Sequence, residues 1–229
     1  MNIAHPYFSI YNDRDPKKPF RLGDGIALLR KIEWAARMSH RSEDAQTEKS
    51  WERFLSAVIM SRGDWSVAEH ASLTVEMYVD RGITHEIVRH RIASFTQESS
   101  RFVNYEKKMP PNFIYPGVRV EDEVELELDK DWVAGIEACE KAYKALIGKG
   151  WSPQLARSVL PNGLGSKIVM TCNLRNWRHF LLMRSTREAH PQMREVIVPL
   201  LKEMKKCIPL LYDDIEPEAT QADNMKKMR

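Results

Sequence analysis

The chain has 229 residues, 43% hydrophobic and 29% charged, enough to close a sizeable core as one large domain or two small ones. Its 35 basic and 32 acidic residues leave a formal charge of only +3, so the global field gives no argument for nucleic acid, while a local anion site stays open. The N-terminus lacks the basic-then-apolar layout of a signal peptide, and apolar runs such as "VIVPLL" fall far short of the roughly 20 residues a membrane helix needs, so a soluble, cytoplasmic protein is expected.

From Asp24 to Met38 the apolar positions Ile26, Leu28, Leu29, Ile32, Trp34, Ala35 and Ala36 recur at helix spacing, with Asp24 as the expected N-cap. A second helix is read in "WERFLSAVIMSRG", where Trp51, Phe54, Leu55, Val58 and Ile59 form a stripe that Gly63 ends. Leu73, Val75, Met77 and Val79 then alternate with Thr74, Glu76 and Tyr78, the period of a half-buried strand, which should stop in a turn at Arg81-Gly82. "ITHEIVRH" resumes helical character, with Thr84 able to cap it and the basic triplet Arg89, His90, Arg91 in its last turn. Pro110, Pro111 and Pro116 predict a loop across "EKKMPPNFIYPGV".

A long helix is expected from Asp129 to Gly148, and a short one in "WSPQLARSVLP", opened by Pro153 and stopped by Pro161. Lys167 to Asn173 reads as a strand feeding a helix through "RNWRHFLLMRS", with Trp177, Phe180, Leu181 and Leu182 assigned to packing. The last helix, "PQMREVIVPLLKEMKKCI", should kink or break at Pro199. No internal repeat or Gly/Ser linker divides the chain. The expected architecture is therefore α+β: one mixed domain, residues 1–215, with 106–128 as an excursion from it and 216–229 as a flexible tail without apolar periodicity.

The chemistry concentrates in "VRHRIASFTQESSRF". Basic side chains at a helix C-terminus are favoured by the dipole without any ligand. The run beyond them, Ser94, Thr96, Gln97, Ser99 and Arg101, lacks the aliphatic periodicity of a core element, and such groups can close around a phosphate with Arg as a bidentate fork. Arg157 offers a second anion ligand, Arg175, Arg178, Arg184 and Arg187 repeat the theme, and Asn173, Arg175, His179 and Arg184 are placed to line a cleft. No Gly-rich phosphate loop, dinucleotide fingerprint or serine elbow occurs, and "HEIVRH" misses the metalloprotease spacing, so no metal site is expected. Cys139, Cys172 and Cys207 are widely separated and odd in number; Cys139 and Cys172 lie in apolar contexts, which gives covalent catalysis by cysteine no support. The residues alone leave a site for phosphate-bearing small molecules, with His70, His90 and His190 as acid-base candidates. An oligonucleotide-binding module, with Phe95, Phe102 and Tyr105 as stacking faces, is the alternative.

"RHRIASFTQESSR", Arg89 to Arg101, closely resembles the signature of the flavin-dependent thymidylate synthases, an Arg-His-Arg triplet followed by a serine, here Ser99. "AARMS" at Ala35, "AEHASLTVEM" at Ala68, "ARSVLP" at Ala156 and "NLRNWRHFLLMR" at Asn173 resemble the family's other landmarks in the same order. The resemblance implies an antiparallel sheet flanked by long helices, and conversion of dUMP to dTMP with FAD, 5,10-methylenetetrahydrofolate and NADPH. It also implies a homotetramer with active sites between subunits, and no nucleic-acid or membrane partner.

Carried over by position, Ser39, His70, Arg89, His90, Arg91, Asn173 and Arg175 would contact FAD. Glu86, Gln97, Ser99, Arg101, Arg157 and Arg184 would hold dUMP, with His70 and Arg184 closest to the chemistry. His190, with Gln192, would belong to the flavin or folate surroundings. Ser99 has no paired base to activate it and is read as a ligand, not a nucleophile. Two features depart from the family pattern: Glu86 stands where Gln is common, and the spacing from Arg184 to His190 is two residues longer.

Overall fold

A computed structural model of the protein describes residues 1–13, 15–106, 110–116 and 128–218. In chain order the elements are β1 (Asn2–Ala4), β2 (Tyr7–Ile10), α1 (Leu22–Arg37), α2 (Ser50–Leu55), β3 (Ser72–Asp80), α3 (Arg81–Ile87), β4 (Ser94–Gln97), β5 (Asn112–Ile114), α4 (Lys130–Gly148), α5 (Pro153–Ala156), β6 (Gly165–Asn173), α6 (Leu174–Arg184) and α7 (Pro191–Cys207). An antiparallel four-stranded sheet, in the order β2-β3-β6-β4, forms the centre of this α+β fold, and β1 pairs with β5 in a separate parallel ribbon.

The alternation in β3 sets the layers. Leu73, Val75, Met77 and Val79 face a core shared with Ile168, Met170 and Cys172 of β6 and closed by α1, α6 and α7. Burying a Leu or Ile side chain contributes roughly 1.5–3 kcal/mol, so this face dominates the stability. Thr74, Glu76 and Lys167 lie on the other face, where Thr74 and Thr171 share a 2.9 Å hydrogen bond and Lys167 pairs with Glu76 at 3.2 Å. A second core, around Tyr105, Phe113, Ile136, Tyr143 and Leu164, joins α4 and α5 to β5. Buried polar groups are matched within the main core: Trp177 Nε1 donates to the Leu73 carbonyl at 2.9 Å and the Tyr212 hydroxyl to that of Leu174 at 3.2 Å.

Several local expectations are corrected. Arg21, not Asp24, caps α1, and the Asp24 carboxylate reaches back to accept the Arg21 N–H at 2.9 Å. β3 ends without a glycine turn: the Asp80 side chain caps α3 by accepting from Ile83 N at 2.8 Å, while Thr84 sits inside that helix and donates to the Arg81 carbonyl. α2 continues as a π-helical stretch, Ser56–Ser61, before Gly63 takes a positive φ of 81°. The polar run after the triplet contains strand β4, and the Pro-flanked loop contains β5. Leu182 is exposed rather than packed. α7 passes Pro199 unbroken, because Val196, Ile197, Leu200, Leu201 and Met204 bury an apolar face on both sides of it. The expected tail lies outside the described residues from 219 onward; before that, Glu216 pairs with Lys205 at 2.9 Å and Glu218 accepts from Arg187 N at 3.1 Å.

Candidate active site

The pairing of β3 with β6 fixes two ends of the sheet. At one end Ser72 lies opposite Asn173; at the other Asp80 lies opposite Gly165, eight residues away and roughly 27 Å along the strands. The expected site residues divide between these ends.

At the first end, His70 closes a 3₁₀ turn, Trp65–His70, just before β3 and is exposed. Asn173 ends β6 and caps α6 through a 2.8 Å bond from Asn176 N. Arg175, in the first turn of α6, is tied to Glu69 at 2.6 Å, which draws the His70 turn against α6. Asn176 Nδ2 donates to the Ile92 carbonyl at 3.3 Å and brings the end of the basic segment to the same place. Ser39 lies in the turn after α1, a helix packed on the His70 turn, and its hydroxyl donates to Ala36 O at 2.9 Å.

The basic triplet does not occupy the last turn of α3, which ends at Ile87; it forms the bend beyond. Arg89 and Arg91 are exposed and have no carboxylate partner among the described residues. His90 turns inward, edge-on to Phe180 at 4.6 Å between ring centroids, and its Nε2 accepts from Arg184 Nε at 3.0 Å. That bond places the neutral ring's proton on Nδ1. Burial, reinforced by the charges of Arg184 and His179, holds the His90 pKa down to about 4, so the ring is uncharged at neutral pH. Arg184 also donates to Glu86 Oε2 at 3.1 Å, and Glu86 is thereby matched with a cation.

The second end carries the polar run. Gln97 Nε2 donates to the Thr84 hydroxyl at 2.8 Å and the Ser166 hydroxyl at 3.3 Å, both buried, so its amide nitrogen serves the fold. Ser99 Oγ accepts from Arg101 N at 3.3 Å in the turn that follows β4. Arg101 is exposed, without a carboxylate partner among the described residues. Buried Ser100, which the sequence did not single out, accepts from Arg157 Nη1 at 3.1 Å and aims it into a cleft of about 410 Å³ together with Arg81. Arg157 lies 57 residues from Ser100, and only the fold reveals the pairing. A neighbouring cleft of about 290 Å³ brings Glu86, His190 and Gln192 around Asp80 and Trp132. His190 caps α7, accepting from Gln192 N at 3.3 Å. Burial raises the Asp80 pKa against the opposing effects of the Ile83 N–H, His190 and Gln192.

Neither buried thiol is poised for attack: burial pushes Cys172 up to about 12, and burial with a bond to Glu203 pushes Cys207 up to about 11.

The fold is a helix-flanked antiparallel sheet with guanidinium groups at both ends. The profile described as thymidylate synthase complementing protein matches residues 27–210, well over half of the chain. Similar chains include the flavin-dependent thymidylate synthases of Geobacter sulfurreducens, 36% identical over 69% of this chain and 67% of that one, and of Pyrococcus furiosus, 34% identical over 81% and 71%. The fold is shared with the UMP/dUMP methylase PolB from Streptomyces cacaoi, at a TM-score of 0.70 and 23% identity over 93% of this chain and 96% of that one. It is shared also with the Helicobacter pylori flavin-dependent enzyme solved with FAD and dUMP, at 0.69 and 20% over 92% and 99%. The chain belongs to the flavin-dependent thymidylate synthase family and is an enzyme of that family.

Proposed function

We propose that this enzyme binds FAD and converts dUMP to dTMP, taking its carbon from 5,10-methylenetetrahydrofolate and its reducing equivalents from NADPH, as a cytoplasmic homotetramer. The observation that carries the reading is the set of uncompensated guanidinium groups. Arg89, Arg91, Arg101 and Arg157 lack a carboxylate partner among the described residues, in a chain with almost as many acids as bases. Cations left unpaired in a folded chain suit phosphate-bearing ligands.

The residues fit the two ligands by position. Arg89 and Arg91, beside the Asn173–Arg175 end of the sheet, offer charge for the FAD pyrophosphate, with His90, Ser39 and His70 around the cofactor. Bound FAD supplies the redox chemistry. Ser99, Arg101 and Arg157 offer hydroxyl and guanidinium groups to the dUMP phosphate, and Gln97, its nitrogen already engaged, presents its carbonyl oxygen. Arg184 is held by Glu86 and by neutral His90, an arrangement that fixes the guanidinium without a competing positive imidazole. Placed against the uracil oxygens, it stabilises negative charge as C5 becomes electron-rich. His190 and Gln192 border the flavin or folate. The FAD-side and dUMP-side groups spread over roughly 27 Å along the strands, with Arg184 bridging them through His90, and this spread suits sites assembled from more than one subunit.

The test is spectroscopic and chemical. Purified protein should be yellow, bleach under NADPH, change its flavin bands on adding dUMP, and release tritium from C5-labelled dUMP only with methylenetetrahydrofolate present. A protein that takes up no flavin and releases no tritium under anaerobic assay sinks the reading.

A further inference from the structure

The cleft that contains Arg157 contains a second guanidinium that neither the signature nor its landmarks mark. Arg81 lines it together with Ser100, Gln154, Arg157, Ser158 and Asn162, and no carboxylate lines it among the described residues. The neighbouring acid, Glu98, is occupied by the Tyr105 hydroxyl at 3.1 Å and stays outside the lining. Arg81 is also well anchored. Its backbone N–H bonds both the Asn162 carbonyl at 2.9 Å and the Leu164 carbonyl at 3.0 Å, at the junction where β3 becomes α3. Arg157 is fixed from the other side by Ser100, which is 4% exposed.

Two guanidinium groups lining one concave site of this size, Arg157 held by Ser100 and Arg81 carried on an anchored backbone, match one dianionic phosphomonoester, whose oxygens can take a fork from each. We propose that Arg81 is a phosphate ligand and specificity-determining residue, which with Arg157 makes the site select a nucleoside monophosphate over the nucleoside. This rests on the dUMP reading above. The phosphate could in chemistry come from the FAD pyrophosphate instead, but the cleft sits at the Asp80–Gly165 end of the sheet, beside Ser99 and Arg101 and away from His70 and Arg175.

The FAD-loaded enzyme is titrated with dUMP and with deoxyuridine by flavin absorbance, and with inorganic phosphate in competition against dUMP. Arg81→Gln is expected to lower dUMP affinity roughly 10- to 100-fold. It should leave deoxyuridine affinity within about 3-fold of the wild type and FAD retention unchanged. Equal losses for dUMP and deoxyuridine overturn the proposal, since Arg81 would then only shape the cleft; so does an unchanged dUMP affinity, or loss of FAD in place of dUMP. Should R81Q fail to fold by circular dichroism, Arg81→Lys carries the test, because it keeps the charge and loses the fork: a smaller loss confined to dUMP supports the proposal, a parallel loss overturns it. A wild-type enzyme that binds phosphate in an R81Q-sensitive way but never dUMP retains the anion cleft and removes the nucleotide reading instead.

Discussion

His90 shows how one side chain of the signature differs from its neighbours. Arg89 and Arg91 project outward as charges, whereas His90 packs on Phe180 and accepts from Arg184, an arrangement that requires it to be neutral. Its folded pKa, about 4, lies below the ordinary 6.5, so the unfolded chain takes up the proton first as pH falls. The stability it contributes is complete above about pH 6.5 and is lost as pH drops toward 4. Urea midpoints measured across that window should fall more steeply for the wild type than for His90→Gln, which keeps an acceptor for Arg184 but does not titrate; equal slopes would assign the pH dependence to other groups. The signature itself was legible in the residue string, because it is contiguous. The partners were not: Arg184 lies 94 residues from His90, and Ser100 lay unmarked inside the polar run until Arg157 was seen to bond it.

Among the elements, those with a long apolar period were readable and those built on pairing were not. β3 and β6 declare themselves by alternation, and α1, α4 and α7 by their stripes. β4 has four residues, with half-buried Gln97 turned inward for its hydrogen bonds rather than for apolar area, so hydropathy carries no trace of it. β5 is a strand because β1, more than a hundred residues earlier, and the segment at Gly163 and Leu164 lie beside it. The contact of α1 with α7 depends on one small residue: a Cβ on Gly25 of α1 would fall 1.7 Å from the Cys207 carbonyl oxygen at the end of α7. Gly25→Ala should therefore force the two helices apart and destabilise by roughly 1–3 kcal/mol or more, despite alanine's better helix propensity. A urea midpoint equal to the wild type would show that α1 and α7 can separate at no cost.

For the whole molecule, the sheet works as a spacer. His70, Asn173 and Arg175 stand at one end, and Arg81, Ser99 and Arg157 at or beyond the other, so mutations at the two ends damage different halves of any site shared between subunits. Under the tetramer proposed above, Arg175→Ala and Arg157→Ala homotetramers should each be nearly inactive. Mixed after reversible dissociation, or co-expressed with different tags and purified as hybrids, they should regain activity. A hybrid assembly places an intact FAD-side half from one subunit beside an intact dUMP-side half from another. For random mixing of equal amounts, and sites built from two chains, roughly one site in four carries both intact halves. Recovery toward that fraction, together with dUMP-dependent flavin changes in the hybrid but in neither parent, supports sites assembled across subunits. No recovery in hybrids that are demonstrably mixed would mean that each chain completes its own site.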